Sequence, residues 1–308
     1  MIYNWNLIGH DTTLRLLEQD VSSGNLAHAY LFVGPSQLGK FTVARQMANI
    51  LQCENNFCHT CSVCTQIKKG VHADTIVAAN DGESVGIDFV KDLIARINMT
   101  TQSRYTVVLI EQIERVTIPA TNTLLKTLEE PPDNVIFIMT TENARLILPT
   151  ILSRVRMINF DLCSEEELMC RLKERFKDVA LPALEQASLL ALGKPGKAIN
   201  FLEDRANLDY YQSLYNEVCA LLVEENVQRK FQYVETILET PYMAEDFLDI
   251  LEHVLRSRLL KLQAGENIEK TLNRDKILSL IKETQTTRGN FSGNINVRLN
   301  LENLLLAI

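Results

Sequence analysis

The sequence predicts an α/β protein: a doubly wound, parallel five-stranded sheet in the first half and an all-helical second half. Three observations point there. Short, continuous apolar runs alternate with helix-patterned stretches up to about residue 160. A Gly-x4-Gly-Lys loop lies between one such run and one such helix. Beyond residue 160 the apolar residues follow helical spacing, as in Phe247-Leu248-Asp249-Ile250-Leu251-Glu252-His253-Val254-Leu255.

The strands fall at Tyr30–Val33, Thr75–Ala78, Thr106–Ile110, Val135–Thr140 and Met157–Phe160. Their lack of polar alternation suits strands covered on both faces. Helices are expected near residues 11–23, 40–52, 87–98, 117–130 and 144–153. Strand–helix–strand repetition gives parallel strands, and such sheets bind ligands at their carboxyl ends. After Phe160, Ser164 and Glu167 form a capping box for a helix reaching about Phe176. Pro182 opens the next helix, and Gly193-Lys194-Pro195-Gly196 breaks the chain before a third from about Lys197. The domains are therefore drawn at 1–161 (α/β), 162–206 (three small helices) and 207–308 (helical).

The 308 residues suit two or three domains. With 46% hydrophobic and 23% charged residues, global disorder is excluded. No apolar run reaches the ~18 residues of a membrane span, and Met1–Asn6 lacks signal-peptide character, so a cytoplasmic protein without membrane contact is expected. A net charge of −8 argues against a free-standing nucleic-acid binder, while leaving room for DNA contact within an assembly.

Gly34-Pro35-Ser36-Gln37-Leu38-Gly39-Lys40 has the context of a phosphate-binding loop: backbone amides and a helix N-terminus face an anion, and Lys40 reaches the outer phosphates. A plain strand-to-helix turn with an exposed lysine is the alternative. The loop is altered where catalysis needs it. Phe41 stands where a Ser or Thr hydroxyl would hold Mg²⁺, and Thr42 comes one residue late, turned by about 100°. The strand that should end in two acids ends in Glu111-Gln112, and Gln112 cannot take a proton as a base. ATP with Mg²⁺ is therefore not expected to be hydrolysed by this chain. Nucleotide binding through Gly34, Gly39, Lys40 and Glu111 stays open.

Cys53, Cys58, Cys61 and Cys64 place four thiolates within residues 53–64, a set suited to structural Zn²⁺. The spacing differs from the usual bacterial iron–sulfur run, and four unliganded buried cysteines are the other alternative. His59 reads as a bystander, and Cys163, Cys170 and Cys219 as small core residues.

Several segments together carry a resemblance. They are Leu26–Phe32 before the loop, the four-cysteine insert, Gly70-Val71-His72-Ala73-Asp74, Asn122–Pro132 and Leu148–Val155. In these the chain resembles the clamp-loader subunits of bacterial DNA polymerase III, most closely the delta-prime type. The resemblance covers about residues 5–205, and the rest only by length and helicity. It implies an AAA+ module with a helical lid, and a helical collar that joins subunits into a ring. It also implies tau/gamma and delta subunits as partners, and contact with the sliding clamp and primer-template DNA through the assembled complex. The family's Ser-Arg-Cys motif appears as Ser153-Arg154-Val155, which by the resemblance makes Arg154 an arginine finger acting in trans; a salt-bridged surface arginine at a helix end is the alternative. Thr140 and Thr141 end the strand where the family has its γ-phosphate sensor, and beside an altered loop they read as strand-end residues; Lys197 lies in the second-sensor region, where the family's arginine position falls at Gly196. An ATP-hydrolysing tau/gamma-like subunit is the first alternative, and a zinc-dependent DNA-binding regulator the second.

Overall fold

A computed structural model describes residues 2–55, 57–78, 84–99, 101, 103–239, 243–264, 273–291 and 296–308. Residue 56 of the cysteine insert and 240–242, 265–272 and 292–295 of the helical C-terminal region lie outside the described residues. The chain divides into two units, Met1–Asp178 with Gly193–Lys197, and Val179–Leu192 with Ala198–Ile308.

The first unit is built on five parallel strands: β1 (Ala29–Val33), β2 (Thr75–Ala78), β3 (Thr106–Ile110), β4 (Val135–Thr141) and β5 (Arg156–Asn159). Their order is β2-β3-β4-β1-β5, with Phe32 opposite Thr140 and Ile158. Around them lie α1 (Asp11–Ser23), α2 (Lys40–Gln52), α3 (Ser62–Lys69), α4 (Ile87–Ile97), α5 (Ile118–Glu129), α6 (Pro149–Leu152) and α7 (Glu165–Arg175). Period-two geometry sends Tyr30 and Phe32 to one face, where they meet Leu14, Leu17, Val43 and Met47 of α1 and α2. Ala29 and Leu31 point to the other, against Val90, Leu93, Ala120 and Leu124 of α4 and α5. Every residue of β3 and β4 is buried, which explains why these strands read as unbroken apolar runs.

The helix expected at 144–153 is not continuous. Residues Ala144–Leu146 form a 3-10 turn, Leu148 is extended (ψ 134°), and only Pro149–Leu152 is α-helical. Pro149 forces the residue before it out of the helical region, so the apolar pattern could not continue through it. The structure adds α3, inside the cysteine segment, where Cys61 Sγ caps the helix by accepting from the Cys64 amide. The expected cap of α7 is present, with Ser164 Oγ accepting from Glu167 N at 3.1 Å. Cys170 departs from expectation because it is exposed. Leu168 and Leu172 of α7 face inward, so Cys170, between them in sequence, lies on the outer face.

In the second unit α8 (Leu181–Leu190) packs on α10 (Arg205–Leu221). The remaining helices are α11 (Val227–Leu238), α12 (Met243–Gln263), α13 (Arg274–Phe291) and α14 (Val297–Ala307). α12 packs on α10, α11 and α13, and α14 on α11 and α13. Phe247, Leu248, Leu251, Ile277, Leu301 and Leu305 are all buried. α9 (Pro195–Glu203) starts two residues before the expected position and includes Gly196.

Candidate nucleotide site, cysteine knot and Arg154

The phosphate loop runs from the end of β1 to the start of α2, at the carboxyl edge of the sheet. Gly34 is required by close approach: a Cβ there would sit 2.3 Å from the Phe160 carbonyl oxygen. Gly39 caps α2 with φ 84°. Lys40 is buried and its Nζ donates to Gly34 O (2.5 Å) and Pro35 O (2.6 Å), so the ammonium folds back on its own loop. Burial lowers the Lys40 pKa, while Glu142, Glu114 and Glu111 oppose that shift.

A cavity of about 350 Å³ opens here, lined among others by Lys40, Phe41, Thr42, Glu111, Gln112 and Glu142. Phe41 brings no oxygen to it. Thr42, expected to turn away, does reach its wall. Gln112 is left-handed (φ 53°), its amide N–H donates to Thr140 Oγ1 (3.1 Å), and its side chain donates to Glu142 Oε1 (3.3 Å). Thr140 thus holds the exit of β3. The Thr141 hydroxyl accepts from Asn143 N (3.2 Å). The backbone N–H of Gly196 donates to Gln37 O at 2.8 Å. That N–H belongs to the first turn of α9, one of the orphan donors with which a helix start receives an anion. Here it is spent on a carbonyl of the phosphate loop.

The four cysteines converge. Their sulfurs lie within 4.8 Å of one another, with Cys53 Sγ 3.8 Å from both Cys58 Sγ and Cys61 Sγ. A tetrahedron with metal–sulfur arms of ~2.3 Å has edges of about 3.8 Å. The amides of Cys61 and Cys64 point at the sulfurs of Cys58 and Cys61 (3.4 Å each). Such amides, led by those of Thr60 and Cys61, hold the Cys58 thiol down to about 6, while burial pushes Cys64 up to about 12. The set fits one four-coordinate metal ion. The His59 ring faces Asn4 O (3.2 Å) and Phe57, not the sulfurs.

Arg154 lies elsewhere. It follows α6, and its cavity of about 600 Å³ is lined by Ala27, His28, Leu128, Glu129, Ser153 and Arg156. This is the amino end of β1 and β5. The length of β1, about 16 Å at ~3.3 Å per residue, separates that edge from the chain's own phosphate loop. Sequence reasoning missed the partners of Arg154. Nη2 bonds Glu129 Oε1 (2.7 Å), and Nη1 bonds Thr150 O (2.7 Å) and Ser153 Oγ (3.1 Å). Glu129 is 25 residues away in sequence, and only the fold brings it near.

A family model described as "DNA polymerase III, delta subunit" matches residues 9–163. The chain belongs to the DNA polymerase III clamp-loader family. The matched residues hold the whole five-stranded parallel sheet, β2-β3-β4-β1-β5. Among curated proteins it is 29% identical over 242 residues to "DNA polymerase III subunit gamma" of Buchnera aphidicola subsp. Schizaphis graminum, covering 76% of this chain and 66% of that one. It is 32% identical over 216 residues to the protein of the same name from subsp. Acyrthosiphon pisum, covering 67% and 59%. Against "DNA polymerase III subunit tau" of Bacillus subtilis it is 29% identical over 189 residues, covering 60% and 33%. The chain thus spans less than two thirds of each of these relatives. They are named gamma and tau, so the comparisons reach the clamp-loader family and not the delta-prime branch expected within it. No helix among the described residues is long and apolar enough to cross a membrane.

Proposed function

We propose that this chain is a subunit of the DNA polymerase III clamp loader that hydrolyses no ATP itself and supplies Arg154 to the ATP site of a neighbouring subunit. The placement of Arg154 carries the reading. Its guanidinium lies at the opposite edge of the sheet from Lys40, out of reach of the chain's own phosphate loop, which supports a role in trans. Phe41 without a hydroxyl, Gln112 without a base, and an α9 donor bonded to Gln37 support the loss of hydrolysis at the chain's own loop. In this role Arg154, set by Ser153, stabilises charge building on a transferred phosphoryl group. Cys53, Cys58, Cys61 and Cys64 hold Zn²⁺ as a structural knot. Residues 162–206 act as lid and 207–308 as collar. The partners are tau/gamma and delta subunits, with the clamp and primed DNA met through the whole complex.

A second reading, an ATP-hydrolysing gamma/tau-like subunit, is favoured by the names of the relatives and by Thr42 and Glu111 lining the cavity of Lys40. In the reconstituted complex, Arg154→Ala should cut turnover at the neighbouring site by ~10³-fold while leaving assembly intact. Unchanged turnover would refute the proposal.

A further inference from the structure

The proposed finger is not loose in this chain. Its guanidinium is tied by Nη2 to Glu129 and by Nη1 to Thr150 O and Ser153 Oγ. The last two bonds come from the segment that carries Arg154. The first comes from α5, whose final residue is Glu129. That carboxylate gains little where it stands. A helix C-terminus is the negative end of the helix dipole, Glu130 follows directly, and Arg154 is its ion partner among the described residues. Nor does the pair hold the fold: the two side chains are 32% and 50% exposed, and an ion pair so placed contributes little stability. What it does is fix where one guanidinium edge points, over a cavity bordered by Arg156, itself bonded to Asp20 (2.8 Å).

We propose that Glu129 is a latch on Arg154: its carboxylate occupies Nη2 in the resting chain and gives it up to the γ-phosphate of a nucleotide bound by the neighbouring subunit. The inference rests on the arginine-finger reading above. A carboxylate and a phosphoryl oxygen compete for the same donor, so the finger engages only after the bridge opens. Exposed bridges of this kind hold back an exchange by a factor of about two to five. The demand for the finger grows as charge builds on the transferred group. Release of the latch therefore appears in kcat more than in KM.

The test compares the assembled clamp loader with wild-type chain, Glu129→Gln, Arg154→Ala and the double variant, measuring clamp-stimulated ATPase at about 0.05 M and about 0.5 M salt. Glu129→Gln keeps the shape and removes the charge, and Glu129→Ala is the second variant should the amide form its own bond. Both are expected to raise kcat by about two- to fivefold at low salt. The gain should shrink at high salt, where the wild-type bridge is already screened, and vanish in the Arg154→Ala background. Glu129→Asp, which keeps the charge, should restore rates near wild type. If Arg154→Ala lowers turnover but neither neutral variant raises it, the latch is wrong and the finger stands. If Arg154→Ala changes nothing, the finger reading fails and the latch falls with it.

Discussion

Gly196→Ala probes the contact between α9 and the phosphate loop. A Cβ on Gly196 would lie 2.8 Å from Gln37 O, against an ordinary contact of 3.4 Å or more. The same carbonyl accepts the Gly196 N–H at 2.8 Å. Relieving the overlap needs about 0.6 Å of separation, which stretches the hydrogen bond to about 3.4 Å and weakens it steeply. Its loss costs about 0.5–1.5 kcal/mol. Against this, Ala in place of Gly in a helix contributes up to about 1 kcal/mol, less in the first turn. Global stability should therefore fall by no more than about 1.5 kcal/mol. The loop itself loses a clamp and should open about five- to tenfold more often. Hydrogen exchange of a peptide spanning residues 34–40, followed by mass spectrometry, reads this directly. Faster exchange there with a nearly constant thermal midpoint is the expected result. Equal exchange in variant and wild type would refute the claim that α9 holds the loop.

The cysteine knot should contain about one zinc per chain by elemental analysis. A strong chelator should remove it and lower the thermal midpoint by about 2–4 °C for each kcal/mol lost; a chain purified with four free thiols and no metal would contradict the assignment. The pH dependence follows from two histidines. Burial lowers the pKa of both His10 and His72 from the ordinary 6.5. The folded state then binds fewer protons than the unfolded chain, so stability should fall as pH drops below about 6.5. Urea unfolding between pH 7 and pH 5 checks the sign. His72→Gln should reduce the slope, and a flat profile in the wild type would contradict the shifts.

Much of the α/β half was legible because burial on both faces leaves a simple imprint. β2 and β3 have the expected bounds, and the ends of β1, β4 and β5 differ by one residue. The strand-to-helix turn between β1 and α2 was legible through Gly34 and Gly39, since few residues can make that turn. α3 was not, because its eight residues take their order from Cys61 and the convergence of four sulfurs rather than from an apolar stripe. The broken segment at 144–153 was misread by trusting apolar spacing across Pro149. The contacts that give the site its character, Glu129 with Arg154 and Gly196 with Gln37, join residues 25 and 159 positions apart. Neither leaves a local pattern. Within the family, the branch was the finer question, and the relatives found carry the gamma and tau names.

The most direct measurement is phosphate release by the purified chain with Mg²⁺-ATP, alone and then in a complex whose other ATP sites are disabled. A chain with Phe41 and Gln112 at these positions should show no turnover above a Lys40→Ala control in either setting. Sustained turnover that disappears with Lys40→Ala would contradict the account and establish the chain as a working ATPase.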